Sequence, residues 1–408
     1  MPYQKTHPWI TFGFDTKRLP ARTWLALGEA RSKCDHLSGM PLKPAIARRL
    51  HQVYLAKGIH ATTAIEGNTL NEQQVLDRIE GKGSLPESQE YLGKEVDNIL
   101  EATNGIIERI ANQGPGPLSV DEIKNYNRLI LKGLEVENHV VPGEFRRVDV
   151  GVMDYKGAPW DECEKLMQEL CTWLKGPHFQ PEGDDHIIAG IIKSIVAHVY
   201  LAWIHPFGDG NGRAARLLEV RFLMEAGVPS SAIHLLSNHY NQTRSEYYRR
   251  LSEASKSGGD LTSFFLYAVT GFRDQLREQL RIVKYHQWRI AWESYVFEKF
   301  GQPKSNSGRR QLKLLLALSD NARHVPRAEL RRLTPELAEL YANKTPKTLS
   351  RDLNQLSKLG LIWSDEKGIS AAREIMLAFL PASKKGGIEA QFVEAVGIVR
   401  QFEDAVVR

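Results

Sequence analysis

The sequence predicts a mainly α-helical protein with one β-hairpin and a small helical module at its C-terminal end. Three observations carry this expectation. Apolar residues recur at three- and four-residue intervals through most of the chain, strand-like alternation occurs in one short segment, and the stretch 301–308 (GQPKSNSG) has the residue types of a linker.

Composition bounds the answer first. At 408 residues, 42% hydrophobic and 25% charged, the chain is globular in composition and long enough for two or three domains. Its 54 Lys and Arg against 49 Asp and Glu leave a net charge of +5, too mild to declare a nucleic-acid or membrane protein. Cys34, Cys163 and Cys171 form no CxxC pair. That pattern suggests neither a zinc site nor a disulfide framework, and it favours reduced thiols in a cytoplasmic protein. The opening segment has no apolar core of a signal peptide. The apolar stretch from Ile187 to Ile204 is interrupted by Lys193, Ser194 and His198, so it reads as a buried helix.

Taken in order, residues 1–112 read as a helical N-terminal region, with helical periodicity through Leu50–Leu55 and from Gln89 to Ile110. Gly67-Asn68 stops one helix, and Thr69-Leu70-Asn71-Glu72 reads as a capping box that starts the next. Residues 113–280 read as the core. Within it, 145–152 is the strand candidate and Asp154-Tyr155-Lys156-Gly157 the hairpin turn. Helices resume at about Trp160 and run to about Glu225, and a helix pair covers Tyr247 to Gln279. A connector at 281–303 leads to a module over 304–380 and a helical tail over 381–408.

The most informative stretch is HPFGDGNGRAAR, His205 to Arg216. An apolar helix ends at a histidine, glycines alternate with Asp and Asn, and an apolar helix resumes. A glycine-rich turn opening a helix lets backbone N–H groups approach a phosphate, which the helix dipole also favours. Arg213 and Arg216 are three residues apart and share a helix face, from which they can fork onto phosphate oxygens. Asp209 is a hard oxygen ligand suited to Mg²⁺ on a nucleotide phosphate. His205 titrates near neutrality and is the candidate general base. No GxxxxGK[ST] phosphate loop occurs in the sequence.

These twelve residues match, position for position, the HxFx[DE]GNGRxxR motif of the Fic family, and the resemblance extends from about residue 10 to about residue 275. It implies transfer of AMP from ATP, with Mg²⁺, to a Tyr, Ser or Thr hydroxyl of a protein target, the chain itself included. By the same resemblance, His205 deprotonates the target hydroxyl and Phe207 anchors the loop. Asp209 holds Mg²⁺, and Gly210, Asn211 and Gly212 form the anion nest. Arg213 takes the inner phosphates and Arg216 the γ-phosphate. Glycine at 212, where the phosphorylating Doc-type relatives carry lysine, favours AMP transfer.

Gly143-Glu144-Phe145-Arg146 followed by Val150-Gly151-Val152 is similar to the family's flap, which aligns a target segment by strand addition. This copy shows Ala158-Pro159 where the family has Pro-Pro. Asn241, Gln242, Tyr247 and Tyr248 sit where the family borders the adenosine. Thr62-Thr63-Ala64-Ile65-Glu66-Gly67 resembles the inhibitory [ST]xxxE[GN] pattern of the N-terminally inhibited class. With Gly67 as a helix C′ residue, Glu66 falls in a last helical turn, where the dipole disfavours a carboxylate. The resemblance supplies its cation, Arg216.

Beyond the linker, helices are expected at Arg309–Leu318, at Arg327–Leu333 with an extension over Pro335–Tyr341, and from Thr345-Pro346 onward. Leu361-Ile362-Trp363 and Ile369 suggest a two-stranded wing, so the module resembles a winged helix. Residues 304–367 carry 13 Lys and Arg against 7 Asp and Glu, a net +6. Such modules bind DNA, dock proteins or build homodimers. Two further readings stay open: a de-adenylylating hydrolase in which Glu66 orients water, and a DNA-binding regulator whose core only senses nucleotide.

Overall fold

The computed structural model describes residues 3–152, 155–181, 183–301, 303–321 and 324–377. The chain divides into two compact units, Met1–Leu280 and Arg281–Arg408.

The first unit contains α1 (Tyr3–Thr6), α2 (Ala21–Gly39), α3 (Pro44–Ala64), α4 (Glu72–Ile79), α5 (Glu90–Gln113) and α6 (Val120–Ile130). The hairpin β1 (Gly151–Val152) and β2 (Tyr155–Lys156) follows, and then α7 (Cys163–Trp173), α8 (His186–Ile204) and α9 (Asn211–Glu225). The unit closes with α10 (Leu235–Gln242), α11 (Arg244–Lys256) and the first part of α12 (Thr262–Phe300). The helical N-terminal region and the core therefore belong to one body.

Its centre is the pair α8 and α9. By length and composition α8 could cross a membrane, yet 72% of that stretch is buried in the protein. A helix that is apolar all round needs such cover. Gly190 of α8 sits so close to Ala226, just past α9, that a Cβ there would overlap the alanine methyl. All three cysteines are buried and free.

Several boundaries depart from the sequence reading. The capping box is real but shifted: the N-cap of α4 is Asn71, whose side chain accepts from Gln74 N while Gln74 accepts from Asn71 N. Leu70 is buried, and its N–H donates to the Asn68 side chain, which keeps the chain extended until Asn71. Regular strand covers only 151–152 of the 145–152 candidate, because the Arg146 side chain takes up the Val148 carbonyl there. Tyr155 and Lys156, expected in the turn, form β2, in register with Val152 and Gly151. The Tyr155 hydroxyl donates to the Trp203 carbonyl at 2.6 Å and pins that strand. Asp154 lies outside the described residues. The expected end of a helix at Gln279 is overrun, since α12 continues to Phe300.

The second unit contains α13 (Asn306–Ser319), a 3₁₀ turn at Leu330–Arg332, α14 (Pro335–Ala342), α15 (Pro346–Lys358) and the antiparallel strands β3 (Ile362–Asp365) and β4 (Gly368–Ala371). An isolated bridge joins Val325 to Ile369 beside them. Helix α13 starts three residues earlier than expected because Ser305 caps it, accepting from Gly308 N. The 327–333 segment holds a single 3₁₀ turn at Leu330–Arg332, separated from α14 by the Thr334 cap. Leu314, Leu315, Leu318, Leu330, Leu356 and Leu361 form its core. The tail over 381–408 lies outside the described residues.

Gly190→Leu should lower stability by about 1–3 kcal/mol, the usual range for overpacking a closed core. Urea unfolding of the full chain measures it. An unchanged midpoint would mean that α8 and the end of α9 separate without resistance.

Candidate active site

Helix α8 ends at His205, which adopts left-handed backbone (φ 52°, ψ 56°) and closes the helix by donating its N–H to Leu201 O at 2.8 Å. Left-handed backbone is unusual for a residue with a Cβ, so neighbouring contacts must hold it. Arg146 supplies them. Its Nε donates to His205 O at 2.8 Å, Nη1 to Val148 O at 2.8 Å, and Nη2 to Ala158 O. The Arg146 N–H also donates to Pro206 O at 2.9 Å. One buried guanidinium thus ties the root of the hairpin to the histidine. A Cβ on Gly157 would meet both the Arg146 side chain and the His205 Cβ, so glycine is needed where they converge.

The loop is pinned at its far end as well. Asn211 exchanges two hydrogen bonds with the Phe207 backbone, each 2.9 Å long, and the Phe207 ring is buried against Phe145. Gly210 is left-handed (φ 77°) and opens α9. Asn127 of α6 donates to Asp209 O at 2.8 Å and accepts from Gly143 N at 2.9 Å, joining loop and hairpin root through one amide.

The cations of α9 are buried and already engaged. Arg213 contacts Glu95 at 3.1 Å and both Asp209 carboxylate oxygens at 3.3 Å. Asn68 donates to the other Glu95 oxygen at 2.7 Å and orients it. Arg216, 1% exposed, donates from Nε to Thr62 Oγ1 at 2.6 Å. Its Nη2 donates to Thr62 O at 3.0 Å and to Glu66 Oε1 at 2.6 Å. Arg213 Nε and Arg216 Nη1 are buried and have no hydrogen-bond partner among the described residues. Such unfilled donors beside a helix N-terminus suit an anion.

Glu66 lies past the end of α3, in the turn closed by Gly67 (φ 105°), and not in a last helical turn as expected. Its carboxylate rests against Gly212 in the first turn of α9, where a Cβ would overlap Glu66 Oε1. Burial alone would raise its pKa, but the Arg216 guanidinium, helped by Arg213, holds it below the ordinary glutamate value.

Burial pushes His205 down to about 4. Nδ1 faces Ala202 O at 3.4 Å, which favours the Nδ1–H tautomer and leaves Nε2 as the proton acceptor. An anion in the nest would raise that pKa toward a useful range for a base. Asp209 is half exposed at the edge of the nest. The described residues hold no cluster of three His, Cys, Asp or Glu fit for a metal. A cation here would take one protein carboxylate plus phosphate oxygens and water, a donor set that suits Mg²⁺.

The structure brings together His205, Asp209, Gly210, Asn211, Gly212, Arg213, Arg216 and Glu66. In the hairpin, Val150 O accepts from Gly157 N at 3.0 Å, while Gly151 and Val152 form β1. Of the adenosine-side candidates, Tyr247 and Tyr248 lie near Arg216, and Asn241 and Gln242 lie beside α3. Tyr247 is buried with its hydroxyl 2.9 Å from His198 Nε2. The Tyr248 hydroxyl reaches Ile65 O at 3.4 Å. Asn241 and Gln242 line a narrow cleft with Lys57 and His60. Sequence reasoning assigned no role to Thr62, Glu95, Asn127 or the Arg146 side chain. Only Thr62 and Arg146 stand in a recognisable local pattern.

Residues 117–223 match the model of the Fic/DOC family. The chain is 30% identical over 238 residues to "Protein adenylyltransferase Fic" of Nematostella vectensis, covering 56% of this chain and 48% of that protein. It is 32% identical over 243 residues to the protein of the same name from Drosophila ananassae, covering 57% and 43%. The chain thus spans about half the length of the curated relatives it matches. Among solved structures, a Fic family protein from Desulfovibrio desulfuricans G20 aligns with a TM-score of 0.52 at 20% identity, covering 90% of this chain and 98% of that one. Fic-1 (aa134–508) from C. elegans aligns with a TM-score of 0.52 at 24% identity, covering 63% and 72%.

Burial also pushes His234 and His239 down to about 4. These two and His205 stay neutral in the fold at pH values where the unfolded chain, with histidines near 6.5, binds protons. Their contribution is complete above about pH 6.5 and is lost as the pH falls toward about 4. The urea midpoint should therefore drop between about pH 7.5 and about pH 5 at constant m-value. A flat profile over that window would contradict the burial of these rings.

Proposed function

We propose that this chain, a member of the Fic family, is a protein adenylyltransferase that moves AMP from ATP to a Tyr, Ser or Thr hydroxyl of a protein, itself included. We propose further that Glu66 restrains it. The observation that carries the reading is the position of the Glu66 carboxylate, paired with Arg216 and lying against Gly212 at the N-terminus of α9. A carboxylate sits where cations, helix dipole and unfilled donors are arranged for an anion.

In the transfer, the target hydroxyl gives its proton to His205 Nε2 as its oxygen bonds to the α-phosphorus and the bond to pyrophosphate breaks. The loop from Gly210 to Gly212 and Arg213 hold the phosphates through fixed donors, so positioning supplies most of the catalysis. Asp209 would hold Mg²⁺, which when bound neutralises charge on the departing pyrophosphate. The β1 edge would receive the target segment by main-chain hydrogen bonds. Arg216 cannot serve Glu66 and a γ-phosphate at once, so ATP binds either weakly or out of line while Glu66 is in place. A cytoplasmic setting belongs to the same proposal and draws support from the three buried free thiols.

His205→Ala should lower transfer by about 10²–10⁴, the usual general-base contribution, with ATP affinity within a few-fold. Labelling at the wild-type rate would reject the assigned base. A chelator, or Asp209→Ala, should suppress labelling and leave thermal unfolding nearly unchanged. Full activity without divalent metal would reject the metal role of Asp209.

Glu66→Gly should raise the initial rate of self-labelling on unmodified protein at least about tenfold, since 1.4 kcal/mol of relieved misalignment suffices for that factor. An unchanged initial rate, with modified protein accumulating only later, would instead support the hydrolase reading.

A further inference from the structure

Beyond nucleotide transfer, we propose that the outer face of α15 in the C-terminal unit docks in the major groove of duplex DNA. Lys347, Arg351, Asn354 and Lys358 are all exposed and fall within an arc of roughly 60° at 100° per residue. Gln355 borders the same stripe and is also exposed. Leu349, Leu353 and Leu356 occupy the opposite side and are buried in the core of the unit. The three cations thus span about 16 Å of one helix face.

An exposed helix face that is merely solvated usually carries both signs of charge. This one does not. The only carboxylate of α15 is Asp352, which turns inward and is 2% exposed. Arg310 donates to it at 2.7 and 3.0 Å, the Tyr341 hydroxyl at 2.8 Å and Gln311 at 2.9 Å. With Asp352 neutralised inside, the outer face presents three positive charges uninterrupted by acid. Arg327 adds a fourth cation at its border by donating to Ser350 Oγ.

The order of side chains also suits a groove. Cations stand near both ends, where phosphates line the walls, and two amides stand between them, where base edges present paired donors and acceptors. The helix diameter of about 10–12 Å matches the groove width of about 12 Å. The β3–β4 hairpin is the poorer candidate for the main contact, since its turn exposes Asp365 and Glu366. Asp365 is partly engaged, with His324 at 3.0 Å and with the N–H groups of Lys367 and Gly368.

The test uses the full chain and a fluorescent mixed-sequence duplex of about 20 base pairs, with anisotropy followed from about 50 to about 200 mM salt. Three phosphate contacts predict a log–log slope near −2.7, hence a loss of affinity of about 40-fold over that range. Replacing Lys347, Arg351 and Lys358 together by Gln should flatten the slope and weaken binding at least tenfold at low salt. A second variant with only Lys347→Glu and Lys358→Glu should do the same. Both should keep the wild-type urea midpoint, because none of these side chains is buried. Absence of duplex binding at low salt would overturn the proposal. So would an unchanged slope in either variant, or displacement of the duplex by polyglutamate as readily as by unlabelled DNA.

Discussion

The site depends on one constraint: the chain must reverse between α8 and α9 within six residues. Two left-handed residues, His205 and Gly210, make the reversal possible. Glycine adopts that backbone freely, whereas for histidine it costs of order 1 kcal/mol or more. Arg146, Asn211 and Asn127 over-determine the loop by hydrogen-bonding its carbonyls and amides from three directions. The strain therefore persists, and the imidazole is presented beside the nest. The hairpin is tied to the same guanidinium, so the hairpin root and the imidazole share one anchor.

Electrostatics decides the second property of the site. Arg213 and Arg216 are almost fully buried, and two such cations need nearby anions. Glu95 and Asp209 serve Arg213, and Glu66 serves Arg216. A buried pair of this kind is weak evidence for stability, because desolvation offsets much of the attraction. Under the proposed function its consequence is exchange: a nucleotide phosphate replaces a carboxylate at little net cost in charge balance, and that exchange is the regulatory step. Thr62, which accepts from Arg216 Nε and Nη2, holds the guanidinium in place whichever anion it faces.

The C-terminal unit solves a related problem differently. Asp352 is buried with a carboxylate that must be satisfied, and Arg310, Gln311 and Tyr341 converge on it. Burying the acid at a point where α13, α14 and α15 meet adds a polar tie to an otherwise leucine-rich core. It also sets the sign of the surface that remains outside.

Local order was legible in the sequence wherever the chemistry is local. The spacing of His205, Gly210, Gly212, Arg213 and Arg216 gathered a histidine, two glycines and two cations around one helix N-terminus, since neighbours along a turn are neighbours in space. Helical periodicity located most helices for the same reason, and Gly67 marked a stop because left-handed backbone suits glycine. Tertiary structure alone decided what crosses the chain. Glu95 and Asn127 stand far from the loop in sequence and carry no signal of their own, yet helix packing sets them against Arg213 and the Asp209 carbonyl. The start of α4 moved to Asn71 because burial of Leu70 outweighed an equally good local cap. The length of the hairpin was settled by where Arg146 and Tyr155 found carbonyl partners. The cations at 213 and 216 were written in the sequence, but the anions that balance them were chosen by the fold, because Coulomb attraction and burial depend on distance in space, not along the chain.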